Sequence, residues 1–121
     1  MAARLSKEEY ISDLFVKVEL KLDSIINNCE DSEKTYEHAE WTNVRRATLL
    51  KFDRMVLTAE SQDEPAKNQL IKDLKSVLLR VRFAAKLSEY GVFIVYDGPG
   101  KMFPIPGIIM RLIKGRAYQK L

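Results

Sequence analysis

Lysine and arginine supply the most conspicuous chemistry in this sequence, and they are concentrated in its second half. Residues 1–64 contain 9 Lys and Arg against 14 Asp and Glu, a formal charge of −5, whereas residues 65–121 contain 11 against 3, or +8. A basic half of this kind predicts an anionic partner, with nucleic acid first and a membrane surface second. Pairing of the basic half with the acidic half, in the same molecule or in a neighbouring copy, is the alternative.

The candidate nucleic-acid ligands lie in three places along the chain. At 100° per residue, four of them fall within roughly 80° of one another on one helical face. The full set is Lys72, Lys75, Arg82 and Lys86 on that face, Arg45 and Arg46 on the preceding helix, and Arg111, Lys114 and Arg116 in the C-terminal tail. Aromatic residues are not obviously interleaved with the basic face, so contact with the phosphate backbone is favoured over stacking on bases. A solvated face, or contact with an acidic protein surface, remains the alternative for these cations.

Residues that could carry enzymatic chemistry are sparse. His38 and Cys29 are the only histidine and cysteine, too few for a zinc site of the usual kind. The lysine of "DGPGK" follows a glycine as in a phosphate-binding loop, but Val95 stands where the Walker pattern needs its first glycine and Met102 where it needs Ser or Thr. We therefore predict that the protein is not an enzyme and uses no cofactor and no metal.

Cysteine usage and hydropathy predict the compartment. A single cysteine allows no intramolecular disulfide, which fits a reducing cytoplasm. The sequence contains no apolar run near the roughly 20 residues that span a bilayer, and "MAARLSKEEY" lacks the apolar core of a signal peptide. We expect a cytoplasmic protein with no membrane partner, built as one domain over residues 1–121.

Three helical patterns precede the C-terminal quarter. Ser6 and Glu9 form a capping-box pattern at the start of the first, Pro65 suits the first turn of the third, and Gly91 stands where a C-cap glycine is expected. The predicted ranges are about 7–29, Tyr36 to Ala59, and 65–90. The apolar stripe of the second helix is Trp41, Val44, Thr48, Phe52, Met55 and Ala59.

The third helix carries two apolar stripes. The first is predicted to face the core and consists of Leu70, Leu74, Val77, Leu78, Val81, Ala84, Ala85 and Ser88. The second lies nearly opposite and consists of Leu79, Phe83, Leu87 and Tyr90. A second stripe is an exposed patch unless another subunit, another protein or the C-terminal segment covers it, so we predict an oligomer or partner interface there.

Residues 92–107, "VFIVYDGPGKMFPIPG", do not read as a helix. Pro104 and Pro106 oppose regular strand pairing, so we expect a Pro/Gly-rich connection, with a short hairpin left open. A short basic helix is predicted over about 107–119. The predicted fold is therefore all-α, an up-down four-helix bundle with this connection before its last helix.

Two consecutive helices resemble a known protein family. The segments are "WTNVRRATLLKFDRMVLTAES" (41–61) and "IKDLKSVLLRVRFAAKLSEYGVF" (71–93), which together cover about half the chain. They resemble the four-helix-bundle proteins encoded within 23S rRNA intervening sequences and their relatives, the accessory variability determinant (Avd) proteins of diversity-generating retroelements. The resemblance implies a homo-oligomeric ring, such as a pentamer, whose basic surfaces bind nucleic acid and a partner reverse transcriptase. The proline-glycine segment 97–107 and the short last helix depart from the family's longer fourth helix.

Two functional hypotheses follow from the sequence. The leading one is a non-enzymatic accessory protein that binds RNA or DNA through the third helix and the C-terminal tail. The alternative is a protein-interaction adaptor that docks a partner through the Leu79–Phe83–Leu87–Tyr90 stripe.

Overall fold

The computed structural model describes residues 5–30 and 35–91, except for the side chains of residues 30 and 35–37. Within these ranges the chain is helical and contains no strand, which confirms the all-α prediction. The elements are α1 (Lys7–Glu30), α2 (Thr35–Leu57), a short 3-10 helix (Ala59–Ser61) and α3 (Glu64–Glu89). The predicted connection, hairpin and last helix lie outside the described residues.

The start of α1 is fixed by the capping box that the sequence predicts. The Glu9 amide donates to Ser6 Oγ at 3.1 Å, and the Ser6 amide donates to Glu9 Oε1 at 3.4 Å. These two bonds satisfy backbone donors that the first helical turn leaves without an intrahelical acceptor.

The end of α2 differs from the prediction. The sequence predicts a continuous helix to Ala59, whereas α2 ends at Leu57 and a 3-10 turn follows. The backbone tightens there to bonds between residues three apart, because the Ser61 amide donates to the Thr58 carbonyl at 3.0 Å and the Gln62 amide donates to the Ala59 carbonyl at 3.2 Å. Thr58 Oγ1 donates to the Arg54 carbonyl, and Ser61 Oγ donates to the Thr58 carbonyl, each at 2.8 Å.

Both ends of α3 are capped, and Pro65 and Gly91 occupy the predicted positions. Asp63 Oδ1 accepts from the Ala66 amide at 2.9 Å, and Pro65 occupies the first turn. At the other end, Gly91 has a φ of 74°, the left-handed conformation that a residue without Cβ adopts at low cost.

The helix α1 lies between α2 and α3, which make little contact with each other. Asn28 near the end of α1 donates to Ser88 near the end of α3 at 2.8 Å, so these two helices are parallel. Arg45 in the middle of α2 contacts Asp23 in the second half of α1, whereas Leu57 at the end of α2 lies near Ser12 in the first half of α1. The helix α2 therefore runs antiparallel to α1. The described helices thus run up, down and up.

The core confirms most of the predicted stripes. All eight residues predicted for the core side of α3 are buried. In α2, Trp41, Thr48 and Phe52 are fully buried, while Met55 is 37% exposed and falls outside the core. The Thr48 hydroxyl is satisfied locally, because it donates to the Val44 carbonyl at 2.7 Å. None of α1, α2 and α3 is long and apolar enough to cross a bilayer.

Candidate nucleic-acid interface

Burial of one side of α3 turns the opposite side to solvent. Lys72, Lys75, Arg82 and Lys86 are all exposed there. From the first to the last of them the helix rises about 21 Å, at about 1.5 Å per residue. The structure therefore places the four predicted cations on one exposed, elongated face.

These four cations form no ion pair within the described part of the chain. The lysines Lys7, Lys17 and Lys67 are each paired with a carboxylate, and so is Arg45. Lys75 contacts an aromatic ring rather than a carboxylate, because its Nζ lies 5.5 Å from the centre of the Tyr10 ring. The face thus keeps its positive charge available.

Arg45 occupies a different environment from the other predicted ligands. Its Nε donates to Asp23 Oδ1 at 2.6 Å, and its second terminal nitrogen lies 3.4 Å from Glu19 Oε2. These contacts join α2 to α1, so the guanidinium is engaged within the molecule. The adjacent Arg46 is exposed. The other predicted ligands, Arg111, Lys114 and Arg116, lie outside the described residues.

The second apolar stripe of α3 is exposed along most of its length. Leu79 is 71% exposed, Phe83 43% and Tyr90 68%. Leu87 differs, since it is half-buried and packs against the core. Its position explains this, because at 100° per residue Leu87 is the member of the stripe nearest the buried side.

The exposed apolar residues and the cations share one surface. Residues three and four apart are neighbours on a helix, so Leu79 lies beside Lys75 and Arg82, and Phe83 lies beside Lys86. Helical spacing predicts the two sets as separate stripes, but on the folded helix they interleave. We name this surface the α3 outer face; it consists of Lys72, Lys75, Leu79, Arg82, Phe83, Lys86 and Tyr90.

A second feature, a surface groove, is not predicted from the sequence. It lies between the first half of α1 and the end of α2 and has a volume of about 610 Å³. We name it the acidic groove; its lining residues are Leu5, Glu8, Glu9, Ser12, Asp13, Val16, Val56, Leu57, Ala59 and Glu60. Four of the ten are carboxylates and none is Lys or Arg. The acidic balance of residues 1–64 is the only sequence signal that points to it.

One ion-paired cluster joins the groove to α3. Lys67 Nζ donates to Glu8 Oε1 at 2.5 Å and lies 4.0 Å from Glu64, and only 12% of its side chain is exposed. The hydrogen bond from Lys67 lowers the pKa of Glu8 below its ordinary value. The same bond raises the pKa of Lys67. The cluster therefore ties the first turns of α1 and α3 together.

Residues with catalytic potential are not brought together. His38 is half-buried and its carbonyl accepts from Thr42 Oγ1 at 2.9 Å, whereas Cys29 is fully buried. Across the described ranges, no group of three or more His, Cys, Asp or Glu residues is arranged to hold a metal ion.

Comparison with known proteins returns no match to a family model, to a curated protein or to a solved structure. The resemblance to the intervening-sequence and Avd proteins therefore stays a prediction that the sequence pattern carries.

Proposed function

We propose that this protein is a non-enzymatic accessory protein that binds the phosphate backbone of nucleic acid through the α3 outer face. The observation that carries this proposal is the set of four exposed cations, none of which pairs with a carboxylate in the described part of the molecule. Other cations of the same chain do form ion pairs with carboxylates, so the lack of such pairs distinguishes this face. The positive charge of the α3 outer face is directed at solvent.

The dimensions of the face suit a polyanion. The four cations extend along about 21 Å of helix. Successive phosphates of one duplex strand are about 3.4 Å apart along the duplex axis, so the face is long enough to contact several phosphates of one strand. Binding of this kind gains free energy by releasing condensed counterions and does not require a particular base sequence. We therefore propose binding that depends strongly on salt and weakly on sequence.

The remaining elements of the proposal rest on the sequence. We propose that residues 107–119 add a fourth helix to complete an up-down bundle, and that Arg111, Lys114 and Arg116 extend the basic surface. The resemblance supports a homo-oligomer, a ring such as a pentamer, that acts in the cytoplasm with a protein partner such as a reverse transcriptase.

Removal of charge from the face tests the proposal. Lys72, Arg82 and Lys86 are replaced together by Ala, and the affinity for a short single-stranded RNA and for a DNA duplex is measured against salt concentration. Lys75 is retained because of its contact with the Tyr10 ring. The expected change is a log–log salt slope shallower by about 2 to 3, since each lost phosphate contact removes about 0.7 to 0.9.

A matched variant controls for net charge. Lys21, Lys51 and Arg54 are exposed cations of α1 and α2, and their replacement by Ala brings the formal net charge from +3 to 0, as does the α3 triple variant. We expect the control to keep most of the wild-type slope. Equal loss in the two variants would mean that binding follows total charge, and the α3 outer face would have no special role.

A second candidate function is supported by the grouping of Leu79, Phe83 and Tyr90, which are exposed on one face of the same helix. In this adaptor function the apolar members of the face dock a partner protein. Phe83→Ser separates the two functions, because it removes apolar contact, adds no charge and leaves every cation in place. If the Phe83 variant no longer binds a partner protein but its RNA binding keeps the wild-type salt slope, the adaptor function is established.

A further inference from the structure

The acidic groove and the α3 outer face are complementary in composition. The groove offers Leu5, Val16 and Leu57, which are 52%, 47% and 76% exposed, beside its carboxylates. The α3 outer face offers three exposed apolar side chains beside four cations. Each surface therefore has exposed apolar side chains whose burial is favourable, and the two surfaces carry charges of opposite sign.

Not all the carboxylates of the groove are equally available. Glu8 is engaged by Lys67, and Asp13 forms an exposed ion pair with Lys17 at 3.0 Å. Glu9 and Glu60 are exposed and form no ion pair within the described ranges. Glu60, together with Glu9, whose Oε1 also accepts from the Ser6 amide, gives the groove its available negative charge.

The two surfaces cannot meet within one molecule. The α3 outer face lies opposite the side of α3 that packs on α1, whereas the groove lies across α1, on the side where α1 meets the end of α2. Contact between them therefore requires two chains. Because the two surfaces lie on different sides of the molecule, one copy cannot use both against the same partner, so such a contact is heterologous and runs head to tail.

We propose that the acidic groove binds the α3 outer face of a second copy of this chain, and that nucleic acid competes with this contact. The carboxylates of the groove would contact the same cations that contact phosphates. One α3 outer face therefore cannot bind a groove and nucleic acid at the same time. The competition rests on the function proposed above, whereas the contact between copies does not. Nucleic acid would then bind only to α3 outer faces that no neighbouring groove covers, and a ring closed by these contacts would have to open before it could bind nucleic acid.

Two single substitutions test the contact, one on each surface. Leu57→Lys places a cation in the groove, and Leu79→Asp places a carboxylate among the cations of α3. Leu50 is the matched control position, since it is 70% exposed on α2 and is not part of the groove lining. The molar mass of the full chain is measured by sedimentation over a range of protein concentrations.

The wild-type chain and both Leu50 controls, Leu50→Lys and Leu50→Asp, are expected to associate as concentration rises, and less so in high salt because salt screens exposed charges. Leu57→Lys and Leu79→Asp are each expected to weaken association about tenfold or more, as substitutions at the centre of an interface do. A wild-type chain that stays monomeric, or equal weakening by the Leu50 controls, would overturn the proposal.

A mixing experiment tests the head-to-tail geometry directly. The Leu57→Lys chain keeps an intact α3 outer face, and the Leu79→Asp chain keeps an intact groove. An equimolar mixture is expected to form a 1:1 complex and to grow no further, because only one intact pair of surfaces remains. A mixture that stays monomeric would show that these two surfaces do not bind each other.

Competition is measured by adding short single-stranded RNA to the associated wild-type chain. We expect RNA to lower the number of protein chains in each assembly. We also expect Leu57→Lys, with its freed α3 outer face, to bind RNA more tightly than Leu50→Lys, which carries the same added charge. If the chain associates but RNA does not bind, the function proposed above fails and the contact between copies stands. If RNA binds and leaves association unchanged, the competition is wrong.

Discussion

Single residues decide which charges of this protein are available to a partner. Arg45 and Lys72 look alike in the sequence, as cations on amphipathic helices. In the folded chain Arg45 is held by Asp23 and Glu19 of α1, whereas Lys72 is exposed and has no carboxylate partner among the described residues. Periodicity predicts which side of its own helix a residue occupies, but it does not predict which side chain of another helix will lie opposite.

The Glu8–Lys67 pair predicts a dependence of stability on pH. Because the pKa of Glu8 is lowered in the folded chain, its contribution is present above the ordinary carboxyl pKa and is lost as the pH falls through the folded value. Because the pKa of Lys67 is raised, its contribution is lost only as the pH rises through that raised value. Both contributions are therefore complete near neutral pH.

Denaturant unfolding of Glu8→Gln between about pH 7 and about pH 3 checks this dependence. The variant is expected to be less stable than wild type at neutral pH and to lose less stability on acidification. Glu89→Gln is the control, since Glu89 is exposed and forms no ion pair within the described ranges. Parallel pH profiles for wild type and Glu8→Gln would contradict the account.

The buried side of α3 predicts a contrast between two leucines. Leu74 is fully buried and Leu79 is 71% exposed on the same helix. Leu74→Ala is expected to lower the free energy of unfolding by about 2–5 kcal/mol, because it removes apolar contact and leaves a cavity. Leu79→Ala, the same chemical change, is expected to stay within about 0.5 kcal/mol of wild type. Similar losses at the two positions would mean that α3 is rotated from the orientation described.

At the scale of elements, sequence patterns predict helices better than they predict helix neighbours. The eight core residues of α3 follow from apolar spacing alone, and the start of α1 and the C-terminal end of α3 follow from the residues that cap them. The position of α1 between α2 and α3 does not follow from the sequence pattern, because an apolar stripe does not specify which other helix packs against it. The acidic groove is missed for the same reason, since it joins residues 5–16 to residues 56–60.

The cap of α3 is testable by substitution. Asp63→Ala is expected to destabilise the chain by about 1 kcal/mol, since the Ala66 amide loses its acceptor. Asp63→Asn keeps an acceptor oxygen and is expected to be close to wild type. Thermal or denaturant unfolding of the two variants makes the comparison, and an Asp63→Asn chain as unstable as Asp63→Ala would remove the capping explanation.

At the scale of the whole molecule, the charge asymmetry between the two halves of the sequence becomes an asymmetry between surfaces. The basic half contributes the exposed cations of the α3 outer face, and the acidic half contributes the carboxylates of the groove. The same arrangement that lets a polyanion bind on one side lets another copy of the chain bind there as well. Ionic strength is therefore expected to weaken both kinds of binding.

The most direct test of the central claim maps the bound surface residue by residue. The isotope-labelled chain, residues 1–121, is titrated with a short single-stranded RNA, and backbone amide shifts are followed by NMR. The account predicts that, within the described ranges, the largest changes fall on residues 72–90 and disappear in the Lys72, Arg82 and Lys86 triple Ala variant. Changes that concentrate instead in α1 and α2, or that persist in that variant, would contradict the claim that the α3 outer face binds phosphate.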